Sequence, residues 1–233
     1  MTGKIKLVHS GGNSVSVAVP TNAPSASEVE FKLPQADGSS GQRIVTDGSG
    51  NLSFASAGAS GKILQVKQSV KTDTASWTGT SFVNIAGTDE TGAGSIWEVN
   101  ITPTAANSKI LVEFSAAMGS NLGVMMTVRL VREIQDANPA YPALGHSSGS
   151  RPRVSRQVRD DQTGMKVHAI HQSHFSFLDS PSYTLGNKIT YHLEGMGYSS
   201  SETVYINRSG SLQNNATYDA NGISTITVME VAA

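Results

Sequence analysis

Ser108–Ala117 reads SKILVEFSAA. Ile110, Val112 and Phe114 alternate with Lys109, Glu113 and Ser115, a period of two that sends apolar side chains to one face and polar ones to the other. Asn187–Gly195 repeats the pattern, with Ile189, Tyr191 and Leu193 opposed to Lys188, Thr190, His192 and Glu194. Outward from these, strands are expected at 62–71, 80–86, 94–102, 123–134, 165–178, 202–208 and 223–232, divided by clusters of Gly, Asn, Asp and Pro. No segment shows an apolar stripe of helical period. About nine strands with turn breaks point to an all-β fold, a jelly-roll-like β-sandwich over residues 62–233.

The N-terminal strip, residues 1–61, has a different texture. Ile5 and Leu7 share one side of an extended segment, and Val15 and Val17 alternate with serines beyond the turn Ser10–Ser14. A small hairpin follows from that pattern, with Val29, Phe31 and Leu33 starting another extended piece. The strip is too polar to fold alone, because each residue costs about 1–2 kcal/mol of backbone entropy to order. Its docking surface is expected at Ile5, Leu7, Val15 and Val17. Leu33–Phe54, LPQADGSSGQRIVTDGSGNLSF, then forms a collar of two short strands broken by Asp-Gly turns. The small-residue run Ser56–Gly61 is the expected linker between the strip and the large domain.

The 233 residues include 38% hydrophobic and only 15% charged side chains, the balance being made up by Ser, Thr, Asn and Gly. That composition suits many-turned strands with polar outer faces, or a core completed by identical neighbours. The net charge of −1 argues against a nucleic-acid or membrane-surface partner. Without cysteine there is neither a disulfide framework nor thiol chemistry. No apolar run is long enough for membrane insertion, and residues 1–9 do not read as a signal peptide.

Two regions carry a resemblance. GKIKLVHSGGNSVSV followed by FKLPQADGSSGQRIVTDGSGNLSF is similar to the N-terminal region of tail-fibre-like proteins of marine tailed bacteriophages, of the cyanophage type. Ile44-Val45 stands where such modules often carry Val-Leu. Farther on, Ile101-Thr102-Pro103 with Ser108–Val112, then Leu178–Pro181, Tyr205–Arg208 and the closing Ser224–Val231 resemble the distal domain of phage fibre-like proteins, weakly over 135–165. The resemblance implies a virion structural protein made in the host cytoplasm. Residues 1–61 would attach to other virion proteins, and 62–233 would form a homotrimeric knob that meets host-surface polysaccharide. A capsid decoration or adaptor protein with no receptor binding is the alternative, and a carbohydrate-active enzyme domain a third.

Three constellations bear on chemistry. Gln135–Ser150 reads as a long exposed loop, and loops at the end of a sandwich are natural binding surfaces. Tyr141 and His146 within it are receptor-binding candidates, together with Arg151, Arg153, Arg156 and Arg159, whose guanidinium groups suit anionic sugars. The competing reading makes that charge run a solvated face paired with local carboxylates, Asp160 and Asp161 among them. His168, His171 and His174 invite a metal. On one strand, however, His168 and His174 share a face while His171 points the other way, so a single chain cannot converge all three. A trimer axis could gather three copies of one position, yet the His-x-His pair of iron-binding phage fibres is absent, and no metal or other cofactor is expected. Nucleophile-elbow, metalloprotease, phosphate-loop and dinucleotide motifs are missing, and Asp73, Asp89, Glu90, Glu98 and Glu113 are scattered, so no catalytic residue is assigned and the chain reads as a non-enzyme. Trp77 and Trp97 could form a sugar platform, although core packing suits both better.

Overall fold

Gly12 turns the chain at a φ of 89° between two alternating segments, and the segments pair. The computed structural model describes residues 4–18, 20–22, 24, 28–56, 63–122, 125–159, 166–211, 213 and 215–233. It divides into two units, Met1–Ser60 and Gly61–Ala233. Residues 57–61 of the expected linker lie outside the described residues.

In the first unit, β1 (Lys4–Val8) and β2 (Ser14–Ala18) form an antiparallel hairpin. Collar strands β3 (Gln42–Thr46) and β4 (Leu52–Ser56) form a second. The Asp47 carboxylate ties the collar turn by accepting from Ser49 N at 2.8 Å and Asn51 Nδ2 at 2.5 Å. Gly50, at a φ of 87°, passes so close to Glu30 that an added Cβ would sit 2.4 Å from its carbonyl oxygen. Two-stranded hairpins are marginal by themselves, and the exposed valines and isoleucines of this unit supply no core.

The second unit holds β5 (Ile63–Lys71), β6 (Ala75–Thr78), β7 (Val83–Asn84), β8 (Glu98–Ile101), β9 (Lys109–Ser120), β10 (Met125–Ile134), β11 (Ala137–Ala140), β12 (Arg156–Arg159), β13 (His171–Asp179), β14 (Ile189–Met196), β15 (Thr203–Ile206) and β16 (Ser224–Val231). They make two six-stranded antiparallel sheets. In one, β10 and β14 are central, flanked by β11 and β12 on one side and β7 and β8 on the other. In the other, β9 is central. Phe114 pairs with both Phe175 and Ile226, so β13 and β16 lie on opposite edges of β9. Among the described residues there is no α-helix.

The alternation in Ser108–Ala117 becomes burial as expected. Ile110, Val112 and Phe114 face a common core with Val128 and Leu130 of β10 and Tyr191 and Leu193 of β14. Trp77 and Trp97 both lie in this core rather than on a sugar-facing surface. Gly195 makes room for Trp77, whose ring atoms come within 2.4 Å of where a Cβ would stand. Each large side chain so buried contributes roughly 1.5–3 kcal/mol.

Three local expectations are corrected. The segment 80–86 holds only the two residues of β7, and a separate strand, β6, precedes it. The expected strand at 165–178 starts only at His171, because Lys166–His168 form a 3₁₀ turn; Met165 lies outside the described residues. The region 135–150 is not wholly irregular. Gln135 and Asp136 take φ of 55° and 56°, the left-handed pair of a two-residue hairpin turn, and β11 folds back onto β10.

Candidate functional site

Tyr141, singled out as a receptor contact, is committed inward. Arg129 of β10 lies between two rings, 3.9 Å from the centroids of both Phe82 and Tyr141. Its Nε donates to Glu194 Oε2 at 2.5 Å. Guanidinium stacking on aromatic faces is worth more as water is excluded, and here both faces of the cation are covered. Tyr141 is therefore half-buried and helps close the outer face of the β10–β14 sheet.

The arginine run does not form one patch. Ser155 pins its middle to β10, accepting from Leu130 N at 2.9 Å and donating to the Ala143 carbonyl at 2.7 Å. Arg151 Nη1 reaches Ser148 Oγ at 3.3 Å, and Arg153 Nε donates to the Gly145 carbonyl at 2.7 Å. Arg156 and Arg159 sit on β12, opposite Val128 and Met125, and three positions apart on a strand they leave opposite faces. Asp160 and Asp161 lie outside the described residues. What remains together is the exposed stretch of His146, Arg151 and Arg153, whose outward N–H groups can meet anionic or hydroxyl oxygens.

The histidines separate. His174 is exposed on the outer face of β13, opposite Ser115, and His171 is half-buried opposite Met118. His168 stands on the 3₁₀ turn with its Nδ1 2.6 Å from Asp219 Oδ1 and its ring edge-on to Tyr218. Among the described residues no three His, Asp or Glu side chains gather as a metal set.

On the hairpin, Ile5 pairs with Val17 and Leu7 with Val15, so all four side chains leave one face. All are exposed, Val15 to 73%. An apolar face of this kind, unfilled by its own unit, is the local geometry of a docking strip.

A second outward face belongs to the β5–β16–β9–β13 sheet. Register places Val66, Met229, Leu111 and Leu178 in one row across four strands. The next row is Gln68, Thr227, Glu113 and Ser176, with Gln68 Nε2 donating to Thr227 Oγ1 at 2.8 Å. In these rows Glu113 is the one charged side chain, and a face poor in charge has the makeup of an interface centre.

Beyond Arg208, the sequence marks no candidate site in the segment up to Gly222. Asp219 accepts from Asn215 N at 2.7 Å and Ser209 Oγ at 3.1 Å, besides contacting His168. The bond from Asn215 N, then that from His168, outweigh the opposing effect of burial and hold this carboxyl down at about 2. The signal available was Tyr205–Arg208 followed by a polar run; nothing in it foretold that His168 would arrive from another part of the chain. Another unforeseen meeting is at Asn100, whose Nδ2 lies 3.4 Å from both Glu90 Oε2 and Glu98 Oε1. Burial raises the Glu98 carboxyl, and the amide bridges the two acids.

No protein-family model matches this chain, and a search of curated proteins likewise finds no match.

Proposed function

We propose that this chain is a structural protein of a tailed-phage virion, a short tail fibre or fibre-like appendage that presents a homotrimeric, jelly-roll-like knob to the host surface. The observation that carries this reading is the contrast between the two units. Among the described residues, the first offers exposed apolar side chains on a hairpin and no buried core, and the second carries a buried core. A strip that needs a partner and a domain that does not are the parts required to attach at one end and display at the other. The resemblance of residues 3–54 to the fibre module gives the same division.

The Val66–Met229–Leu111–Leu178 row supports assembly of the knob. Three copies packed on this face would cover apolar groups that a monomer leaves in water. Attachment would then gain from multivalency, since three weak contacts in one trimer act together. The exposed stretch of His146, Arg151 and Arg153 is the part of the long insert left to meet host polysaccharide.

The test is location. Antibody against the full chain, applied to purified particles of a phage that encodes it, should label the tail. Label spread over the head would favour a capsid decoration, and particles free of the protein would overturn both. Light scattering of the purified chain should give three times the monomer mass.

A further inference from the structure

Between β15 and β16 the chain leaves the sheet at Asn207 and returns at Gly222, and a cavity of about 380 Å³ opens against this excursion. That volume lies within the range that receives a small ligand. Its wall includes Thr74, Arg208, Ser209, Ser211, Asp219 and Asn221.

The wall is built rather than incidental. Asn207 is buried at a φ of 63°, and its Nδ2 donates to the carbonyls of Lys71 at 2.7 Å and Asp73 at 2.9 Å. Its Oδ1 accepts from Ser224 Oγ at 2.6 Å. One side chain thus locks the β5–β6 connection, which brings Thr74, to the base of the excursion. Gly210 is pressed on β9 so closely that a Cβ would lie 1.9 Å from the Ser120 carbonyl oxygen.

Arg208 and Asp219 share this wall, yet among the described residues no ion pair joins them. Arg208 is held over the Tyr205 ring at 4.7 Å, with Nε donating to Ser209 O at 3.1 Å and Nη2 to Ser211 O at 2.6 Å. A guanidinium has five N–H donors, so three have no partner among the described residues. Asp219 is held by His168, Ser209 and Asn215. A fixed donor and a fixed acceptor of opposite charge therefore line one cavity, with an amide and hydroxyls beside them.

We propose that this cavity binds one neutral sugar ring of a hydroxyl-rich polysaccharide. The inference rests on the host-attachment reading and gives that reading a site away from the arginine run. Neighbouring sugar hydroxyls both donate and accept, and can bridge Arg208, Asn221 and Thr74 while one points to Asp219. A free polyanion meets the Asp219 carboxylate, and an apolar ligand would strip water from Arg208 without replacing it.

The experiment is saturation-transfer NMR on the full chain with glucose, galactose, mannose and N-acetylglucosamine, each alone at millimolar concentration. Transfer to at least one sugar is expected, weakened about tenfold or more in Kd by Arg208→Gln, as for loss of a charge-assisted hydrogen bond. Asn221→Ala and Thr74→Ala, on exposed positions, should weaken it with the fold intact, and they decide the matter if Arg208→Gln does not fold. Silence from all the sugars, or transfer untouched by the substitutions, overturns the site. If the sugars fail while the full chain still coats host cells, the pocket falls and the attachment reading stands. If they bind but the chain is absent from particles, the pocket stands and the attachment reading falls.

Discussion

Arg132 of β10 and Asp179 of β13 join the two sheets: Arg132 Nη1 donates to both carboxylate oxygens, at 3.0 and 2.9 Å. Tyr191 of β14 donates to the same carboxylate at 2.8 Å, and Ser180 N adds another bond at 2.8 Å. Burial, and next the Asp179 charge, push the Tyr191 phenol far up, so it stays a donor at any working pH. Asp179 and Glu230 stand in one register row on either side of Ile110, so two buried carboxylates rim the same end of the core.

Asp179→Ala should cost about 3–5 kcal/mol, because it leaves the largely buried Arg132 side chain without its counter-charge. The double change Arg132→Met with Asp179→Leu should cost less than Asp179→Ala alone. Urea titration of the three proteins checks the order, and equal losses for the single and the double variant would contradict it.

Glu230 should govern acid stability at low pH. Burial would raise its carboxyl, but bonds from Thr104 N, Gln65, Ser108 Oγ and Ala105 N prevail and bring it from 4.5 to about 2. The folded state therefore binds the proton more weakly than the unfolded chain. This stabilisation is full above pH 4.5 and is lost as pH falls toward 2. In Glu230→Gln, melting temperatures between those pH values should fall less steeply than in the wild type.

His192 should act in a higher window. Burial lowers its imidazole from 6.5 to about 4, so the unfolded chain takes up the proton first. Stability should drop as pH falls from 6.5 to 4, and His192→Asn should flatten that limb while leaving the Glu230 limb in place. Melting curves at half-unit pH steps separate the two, and a wild-type slope retained in His192→Asn would refute the assignment.

Gly195→Ala should destabilise the second unit by about 1–3 kcal/mol, the usual cost of overpacking, since the new methyl meets the Trp77 indole. Trp77 fluorescence should shift on the same substitution. Paired replacement by Trp77→Leu should recover part of the loss.

Leu7→Lys with Val15→Lys should prevent incorporation into particles without changing the melting of the second unit, since these side chains lie outside its core. Immunoblots of purified particles give the readout. Normal incorporation would remove the docking role from this face.

How much of this was legible in the chain depended on the range of the interaction. Alternation in Ser108–Ala117 and Asn187–Gly195 set strands and their inward faces, because a strand's period of two is a local property. The Asp47-Gly48 turn in the collar was equally plain, since positive φ is a local steric matter, whereas the turn expected at Asp37-Gly38 forms instead at Ser40-Gly41. The Gln135-Asp136 turn is not legible in the sequence because Gln135, unlike Asp136, is an unusual occupant of a left-handed hairpin position; pairing of Ile134 with Ala137 imposes it. Tyr141 looked free in a proline-rich loop, and only folding set it against Arg129. His168 and Asp219 are 51 positions apart, and Glu230 and Thr104 are 126 apart. No spacing rule reaches that far, because such meetings follow from which strand edges pair. Sequence by itself thus determined the β character, the inward faces and the contrast between strip and domain. Tertiary structure alone decided which polar groups meet, since hydrogen bonds and charges act over a few ångströms in space and carry no trace along the chain.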